Sequence, residues 1–227
     1  MIDISKTNLI EDPSPYLQQH KNNPVNWQIW SSETIEFAKK NSKPILLSIG
    51  YASCHWCHVM AHESFEDKET AEMMNKYFIN IKVDREERPD IDSVFQSSFQ
   101  LFNQSGGGWP LTMFLDENGV PFMGGTYFPK INQNGLPSFK EVLQKVYDAY
   151  QDQKTNIIKQ KDLIIKNLDL KKNSVLSQDL EPILETSVNY LDPVKGGYKG
   201  APKFPTFNLY ETLLYFYNKT NKKKYLD

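Results

Sequence analysis

The chain has 227 residues, of which 39% are hydrophobic and 24% are charged, a composition that favours a packed core and argues against global disorder. Its 26 basic and 28 acidic residues leave a net charge of -2, which gives no electrostatic reason to expect nucleic acid or an anionic membrane as a partner. No apolar run in the sequence approaches the roughly 18 residues of a membrane span.

The N-terminal sequence, Met1 to Lys6, lacks the basic start and apolar stretch of a signal peptide, so we expect a cytoplasmic protein. The length predicts one domain of ordinary size and a fragment of a second. Both cysteines of the chain lie in one tetrapeptide. In the cytoplasm such a pair is more often catalytic, redox-sensing or metal-binding than structural.

The first predicted elements lead up to that tetrapeptide. Prolines exclude a continuous helix in residues 8–30, so we predict an ordered arm anchored by three aromatic residues, Tyr16, Trp27 and Trp30. Ser31 or Ser32 can cap a helix that ends near Asn41. The short apolar run from Pro44 to Ile49 predicts a buried strand.

The tetrapeptide Cys54-His55-Trp56-Cys57 follows this strand and begins a predicted helix. Unpaired N–H groups and the positive end of the dipole at a helix N-terminus favour the thiolate, so we predict a redox-active pair. Cys54, which we expect to be the more exposed cysteine, is the predicted nucleophile, and Cys57 is the predicted resolving thiol. A cationic His55 between them would lower the thiol pKa.

The elements after the CxxC turn alternate between helix and strand. They are a helix or broken helix to Tyr77 with Asp67 as a second cap, a strand at 78–84, a charged loop at 85–89, a helix at 90–102, a glycine-rich break, strands at 111–115 and 120–123 with a hairpin turn at 116–119, and a helix from Ser138 that extends as far as Leu168. Pro121 predicts that the last strand lies at a sheet edge. A polar linker at 171–177 precedes two more predicted helices, at 180–191 and 207–218.

This order resembles the thioredoxin fold, an α/β fold with a central mixed sheet flanked by helices. Three features carry the resemblance: the CxxC after the first central strand, Val83-Asp84 at the end of the second, and the glycine-rich break before the third. The resemblance implies that Pro110 follows a cis bond and faces the CxxC. It also implies that Trp109 and Trp56 contact the substrate.

Several longer strings resemble the YyaL/spermatogenesis-associated protein 20 family of DUF255 proteins. They include Lys43 through Met60, Val83 through Asp92, Gly107-Gly108-Trp109-Pro110-Leu111 and Gly124 through Pro129. The resemblance covers about residues 8–217. Gly196-Gly197-Tyr198 and Ala201 through Pro205 resemble the start of that family's second domain, an (α/α) toroid similar to N-acylglucosamine 2-epimerases.

The family resemblance implies two parts in this chain. Residues 1–170 are expected to form a thioredoxin-like domain with an N-terminal arm, and residues 171–227 a linker with the first helices of a truncated α-helical toroid. Because members of the family continue for several hundred residues more, we assign no carbohydrate activity to this part of the toroid.

The site departs from thioredoxins at two positions. Ser48 stands six residues before Cys54, where thioredoxins keep a buried acid, and Trp56 replaces the usual proline. A proton relay could instead use His20 or Asp84. The alternatives are a structural role for His20 and an ion pair of Asp84 with Arg85 or Arg88.

A metal site is the main competing interpretation, with Cys54, Cys57, His58 and His62 as its ligands. These four residues come from a single turn and helix, and such a set cannot easily surround an ion, so we expect neither a metal nor another cofactor. Cys54-x-x-Cys57-His58 also fits the c-type haem pattern, but that attachment is made outside the cytosol.

The resulting functional prediction is a thiol–disulfide oxidoreductase or redox sensor that acts on protein or small-molecule thiols and disulfides. The alternative is a non-catalytic thioredoxin-like module that regulates or docks to a sugar-active helical toroid supplied elsewhere. We expect no membrane or nucleic-acid partner.

Overall fold

The computed structural model describes residues 3–103, 106–133, 135–152, 181–201, 203 and 207–226. The chain divides into two compact units, Met1–Asn173 and Ser174–Asp227. The predicted boundary at 170/171 and the predicted helix end at Leu168 lie outside the described residues.

The first unit contains six described α-helices and a four-stranded sheet. The helices are α1 (Pro15–Gln19), α2 (Ser32–Lys40), α3 (His55–Met60), α4 (Lys68–Tyr77), α5 (Pro89–Asn103) and α6 (Phe139–Asp152), and the strands are β1 (Ile45–Gly50), β2 (Ile79–Asp84), β3 (Leu111–Leu115) and β4 (Pro121–Gly125).

The sheet is mixed, with the strand order β2-β1-β3-β4. Strand β1 pairs in parallel with β2 and antiparallel with β3, which in turn pairs antiparallel with β4. β4 lies at the edge, as Pro121 predicts, because a proline cannot donate a ladder hydrogen bond. Strand β1 is therefore an interior strand, and the CxxC turn follows its end.

Two hydrophobic clusters cover the two faces of this sheet. The first, which we call the disulfide-side cluster, includes Leu46 and Phe114 of the sheet together with both cysteines, Tyr16, Trp27 and Phe65. The second includes Ile45, Leu47 and Ile49 of β1, with residues of α2 and α5. Every residue of β1 and β2 is buried, so polar side chains on these strands need partners inside the protein.

The helix after the CxxC turn is broken, as the sequence predicts. Helix α3 passes into a π-helical segment, Ala61–Phe65, in which Glu66 N–H donates to the Ala61 carbonyl. Asp67 then caps α4, and its side chain accepts from the Thr70 N–H at 3.0 Å. The local capping chemistry thus places this boundary where the sequence indicates.

The second unit has helices α7 (Glu181–Val188) and α8 (Phe207–Thr220) and a short 3₁₀ helix, Lys223–Tyr225. Leu184, Leu213 and Tyr225 form its small buried cluster. Among the described residues of both units, none of the helices combines the length and apolar character needed to cross a membrane.

Replacing Asp67 with alanine should lower the free energy of unfolding by about 1 kcal/mol at neutral pH, the usual effect of losing an N-cap. Hydrogen bonds from Lys130 and then Thr70 hold the pKa of Asp67 at about 2, below its ordinary value of 3.8. This stabilisation should therefore be complete above about pH 4 and be lost as the pH falls through 2.

Urea unfolding at several pH values checks this expectation. Glu72→Ala, on the exposed side of the same helix, is the matched control. Equal losses of stability in the two variants, or a loss in Asp67→Ala that persists at acid pH, would contradict the assignment.

Candidate active site

The CxxC turn leaves the buried end of β1 and starts α3. Cys54 is the N-cap residue of α3, and its sulfur accepts the backbone N–H of Cys57 at 3.2 Å. The two sulfurs are joined in a disulfide with an S–S distance of 2.07 Å. The structure therefore brings the predicted redox pair together at the predicted junction of strand and helix.

Exposure hardly distinguishes the two cysteines, although we expect Cys54 to be the more accessible one. Cys54 is 3% exposed and Cys57 is 2% exposed. Both sulfurs pack within the disulfide-side cluster because Cys54 turns back onto the first turn of its own helix. The difference has the predicted sign but is too small to identify the nucleophile.

The segment before β3 has the predicted backbone form. The Trp109–Pro110 peptide bond is cis. Strand β3 runs antiparallel to β1, with Leu111 opposite Ile49. This register brings the buried Pro110 to the end of β1 from which the CxxC turn departs.

Trp109 is held from several sides. Its indole N–H donates to Asp92 Oδ1 at 2.9 Å, and the Arg85 guanidinium lies 3.9 Å from the centroid of its ring. Arg85 also forms an ion pair with Asp92, with 3.4 Å between Nε and Oδ2, and Tyr51 packs edge-on against the indole. The indole lies half-buried beside the turn, with a cation on its face.

The ion pairs of the charged loop differ from the predicted alternatives. Asp84 is buried and accepts from the Ser14 hydroxyl at 2.6 Å and from the Glu86 N–H at 2.9 Å. Arg85 pairs with Asp92 and Arg88 with Asp90. The predicted pairing of Asp84 with either arginine was therefore wrong, because local hydroxyl and amide donors already satisfy this carboxylate.

An aromatic surface lies over the first turn of α3. Trp56 is 54% exposed and packs against His55 and against Tyr127, whose ring centroid is 5.2 Å away. The Tyr127 hydroxyl donates to Glu63 at 2.6 Å, and burial together with Glu63 raises its pKa to about 12. Trp56 is the large exposed apolar side chain of the CxxC motif.

The histidines of the predicted metal set do not converge. The His58 ring contacts the Ala52 carbonyl at 2.8 Å, while His62 pairs with Glu66 at 3.0 Å, and the two cysteines are bonded to each other. Within the described ranges no three or more metal-ligating side chains cluster.

His20 is buried in the aromatic packing around Tyr16, Trp27 and Phe65. Its Nδ1 contacts Asn23, and burial, followed by nearby Lys82, lowers its pKa to about 2. The imidazole is therefore neutral at ordinary pH. A relay through His20 or through Asp84 stays a prediction.

The sequence reasoning missed Lys82, a fully buried lysine in β2. Its Nζ donates to the Tyr16 hydroxyl at 2.8 Å and to the Ser48 hydroxyl at 2.9 Å. In the structure Lys82 lies opposite Ser48 in the β1–β2 register, on a strand whose residues are all buried. Nothing in the hydrophobic pattern alone marks such a lysine as buried, since lysine is almost never buried.

The mixed sheet, the cis proline and the CxxC disulfide define a thioredoxin-like protein. The family model Thioredox_DsbH, described as "Protein of unknown function, DUF255", matches residues 6–169. The chain belongs to this family, as its sequence motifs predict.

Curated relatives are much longer than this chain. Spermatogenesis-associated protein 20 of Homo sapiens is 40% identical over 207 residues, which cover 87% of this chain and 26% of that protein. Uncharacterized protein B0495.5 of Caenorhabditis elegans is 39% identical over 209 residues, covering 90% and 28% respectively. The chain thus spans about a quarter of the length of these relatives.

A solved structure entitled "DsbH Oxidoreductase" aligns with a TM-score of 0.42 and 19% identity, covering 57% of this chain and 86% of that one.

Gly50 permits the close approach of the turn to α1. A Cβ atom added there would lie 2.7 Å from Cys57 Sγ and would also clash with the Tyr16 hydroxyl. We expect Gly50→Ala to lower the free energy of unfolding by about 1–3 kcal/mol, the usual effect of overpacking.

Chemical unfolding of the oxidised protein measures this loss. At Gly106 an added Cβ meets nothing within 4 Å, so Gly106→Ala serves as the control. If Gly50→Ala were as stable as the wild type, the turn would have space for a methyl group, contrary to the contacts in the structure.

Removing Asp92 should loosen the Trp109 segment. Asp92→Ala takes away the acceptor of the indole N–H and the ion-pair partner of Arg85, and we expect a loss of about 1–3 kcal/mol. Asp90→Ala, which breaks the exposed pair with Arg88, should cost less. Denaturant unfolding followed by tryptophan fluorescence compares the two variants, and a ranking in the opposite order would count against the network.

Proposed function

We propose that this chain is a thiol–disulfide oxidoreductase that acts through Cys54 and Cys57. The observation that carries the proposal is the disulfide between the two cysteines of the chain, placed at the turn from a central strand to a helix. Membership of a thioredoxin-like family supports the redox role at the level of the fold. A short loop between cysteines is typical of exchangeable rather than structural disulfides.

The reaction begins with the reduced pair. The Cys54 thiolate attacks one sulfur of a substrate disulfide, a Cys54–substrate bond forms, and the other substrate sulfur leaves as a thiolate. Cys57 then loses its proton and attacks Cys54 Sγ. The Cys54–Cys57 bond forms, the second substrate sulfur leaves, and two electrons have passed from the protein dithiol to the substrate. Dithiol oxidation is the same sequence in reverse.

The aromatic residues around the turn suit an apolar extended substrate. Trp56 offers an exposed ring, and Trp109 with the preceding glycines borders the turn from the other side. We assign substrate contact to these two tryptophans, a backbone-docking role to Pro110, and stabilisation of the Cys54 thiolate to His55. The substrate is a protein or small-molecule disulfide or dithiol.

The non-catalytic alternative stays a prediction for the longer relatives, in which a much larger part of the chain follows this region. Exchange activity in the chain described here separates the two proposals, because a docking module needs no reactive thiol.

Serine variants test the proposal with defined roles. Cys57→Ser should accumulate a mixed disulfide with substrate because nothing resolves it, whereas Cys54→Ser should form none. Both variants should lose insulin reduction with dithiothreitol as the electron donor. Non-reducing electrophoresis and mass spectrometry detect the adduct.

Ser53→Ala, immediately before the motif, is the control and should keep full activity. A Cys54→Ser protein that still reduces insulin at the wild-type rate would rule out the assigned nucleophile.

A further inference from the structure

Lys82 is a buried amine without a carboxylate partner. The side chain is 1% exposed, and among the residues that the structure describes no acidic group lies within ion-pair distance of its Nζ. Its two polar contacts are hydroxyls, those of Tyr16 and Ser48. Burying an unpaired charge is costly, so a lysine here favours its neutral amine, which is a base.

The surroundings of Lys82 also accommodate its charged ammonium form. Nζ lies 4.8 Å from the centroid of the Tyr16 ring, 5.1 Å from that of Trp27 and 4.8 Å from that of Phe65. Aromatic faces attract an ammonium group, and the two hydroxyls accept its protons. Lys82 can therefore hold a proton here, and when its amine is neutral the hydrogen bond with Tyr16 reverses, so that the Tyr16 hydroxyl donates to Nζ.

The Tyr16 hydroxyl lies near both this amine and the Cys57 sulfur. The space that a Cβ on Gly50 would fill is bordered by both the Tyr16 hydroxyl and Cys57 Sγ. The same hydroxyl contacts Lys82 Nζ at 2.8 Å. The order of the groups is therefore the Cys57 sulfur, the Tyr16 hydroxyl and the Lys82 amine. Cys57 and Tyr16 belong to the disulfide-side cluster, and the amine lies against three of its aromatic rings.

We propose that Lys82, acting through the Tyr16 hydroxyl, takes the proton of Cys57 when the disulfide closes and returns it when the disulfide is reduced. This inference rests on the proposed function and names the proton acceptor for its resolving step. It assigns to a lysine the task that Ser48, at the position of the thioredoxin acid, cannot perform.

The transfer balances atom by atom. The Cys57 S–H bond breaks as its proton passes to the Tyr16 oxygen, and the Tyr16 O–H bond breaks as that proton passes to Lys82, whose amine becomes an ammonium. The Cys57 thiolate attacks Cys54 Sγ, and the second substrate sulfur leaves with its electron pair. Lys82 holds the proton until the disulfide is reduced, and the proton then returns to Cys57 by the same path. Tyr16 is unchanged, and Lys82 is a positioning residue for the proton because it touches no reacting sulfur.

The titration directions agree with these roles. Burial lowers the pKa of Lys82 well below its ordinary range, which favours a neutral amine in the resting protein. Burial and then Asp84 raise the pKa of Tyr16, so the phenol stays protonated and transmits a proton rather than storing one. The other titratable groups near this site are Asp84, which accepts from the Ser14 hydroxyl, and His20, which has a pKa of about 2 and stays neutral.

Stopped-flow reaction of the reduced chain with excess dithiobis(nitrobenzoate) separates the two chemical steps. The first release of thionitrobenzoate depends on reagent concentration and reports attack by Cys54. The second is independent of concentration and reports attack of Cys57 on the mixed disulfide. Thionitrobenzoate leaves as a thiolate, so protonation of the leaving group does not complicate the second phase.

We expect Tyr16→Phe and Lys82→Met to slow the second phase by about 100-fold at neutral pH and to leave the first phase within about twofold. In both variants the second phase should recover by about tenfold for each unit of rising pH, because Cys57 must then ionise unaided. In the wild type the rate of the second phase should be nearly independent of pH around neutrality. It should fall at low pH, where Lys82 already carries a proton and cannot accept that of Cys57.

Asn80→Ala is the matched control, since Asn80 is another buried polar residue of β2 and hydrogen-bonds to Asn75 instead. It should change stability without altering the pH profile. Equal slowing of both phases in all three variants, or unaltered second phases in Tyr16→Phe and Lys82→Met, would overturn the relay. So would a wild-type second phase that itself rises about tenfold per pH unit, a measurement that needs no variant to fold.

The two proposals fail differently in this experiment. A wild-type protein without a concentration-independent second phase would contradict the thiol–disulfide function itself. If the wild type shows both phases but Tyr16→Phe and Lys82→Met leave the second phase unchanged, only the relay is contradicted.

Discussion

The burial of both faces of β1 and β2 is the constraint that determines the chemistry of the site. Helices pack on each face, and every residue of the two strands is buried. A polar side chain there has no access to water, and its protonation is decided by the few groups that touch it. Ser48 and Lys82 meet under this constraint as cross-strand neighbours, and Tyr16 from α1 completes their contacts. Buried groups on the sheet side of the turn therefore influence the reactivity of the disulfide, as do the groups on its solvent side.

The CxxC turn packs closely against its neighbours. Gly50 lets the CxxC segment approach α1 closely, and Cys54 caps α3 with its own sulfur instead of an oxygen. On the other side, Asp92 holds Trp109 by its indole N–H and pairs with the arginine that lies on the indole face. Groups from the N-terminal arm, from β1 and from α5 thus converge on one short segment, although they are far apart in the chain.

Much of this arrangement follows from the sequence by local reasoning. The apolar run of β1, the alternating pattern of β2, the cap at Asp67 and the edge proline of β4 each carry their own signal, because strand patterning, capping and loss of a ladder donor act over a few residues. The family motifs added the cis bond before Pro110, for which the local sequence offers little evidence.

What the sequence could not provide depends on contacts between distant segments. The partners of Asp84 and Arg85 were misjudged, since Ser14 and Asp92 lie elsewhere in the chain and become neighbours only in the fold. Lys82 was overlooked because a charged residue within an alternating strand normally indicates the solvent face. Burial of such a residue reverses the usual pattern and is visible only once both helical layers are in place.

The π-helical segment Ala61–Phe65 has a geometric consequence for the evolution of this region. Widening one turn of a helix adds a residue to it, and each added residue rotates the side chains that follow by about 100° relative to an uninterrupted α-helix. Phe65, at the end of the segment, faces the Trp27 ring with 5.0 Å between centroids, and α4 begins three residues later, at Lys68. The segment therefore sets the rotation of Phe65 about the helix axis relative to the CxxC turn. Deleting one residue from it would change this rotation, although every side chain of the site would be retained.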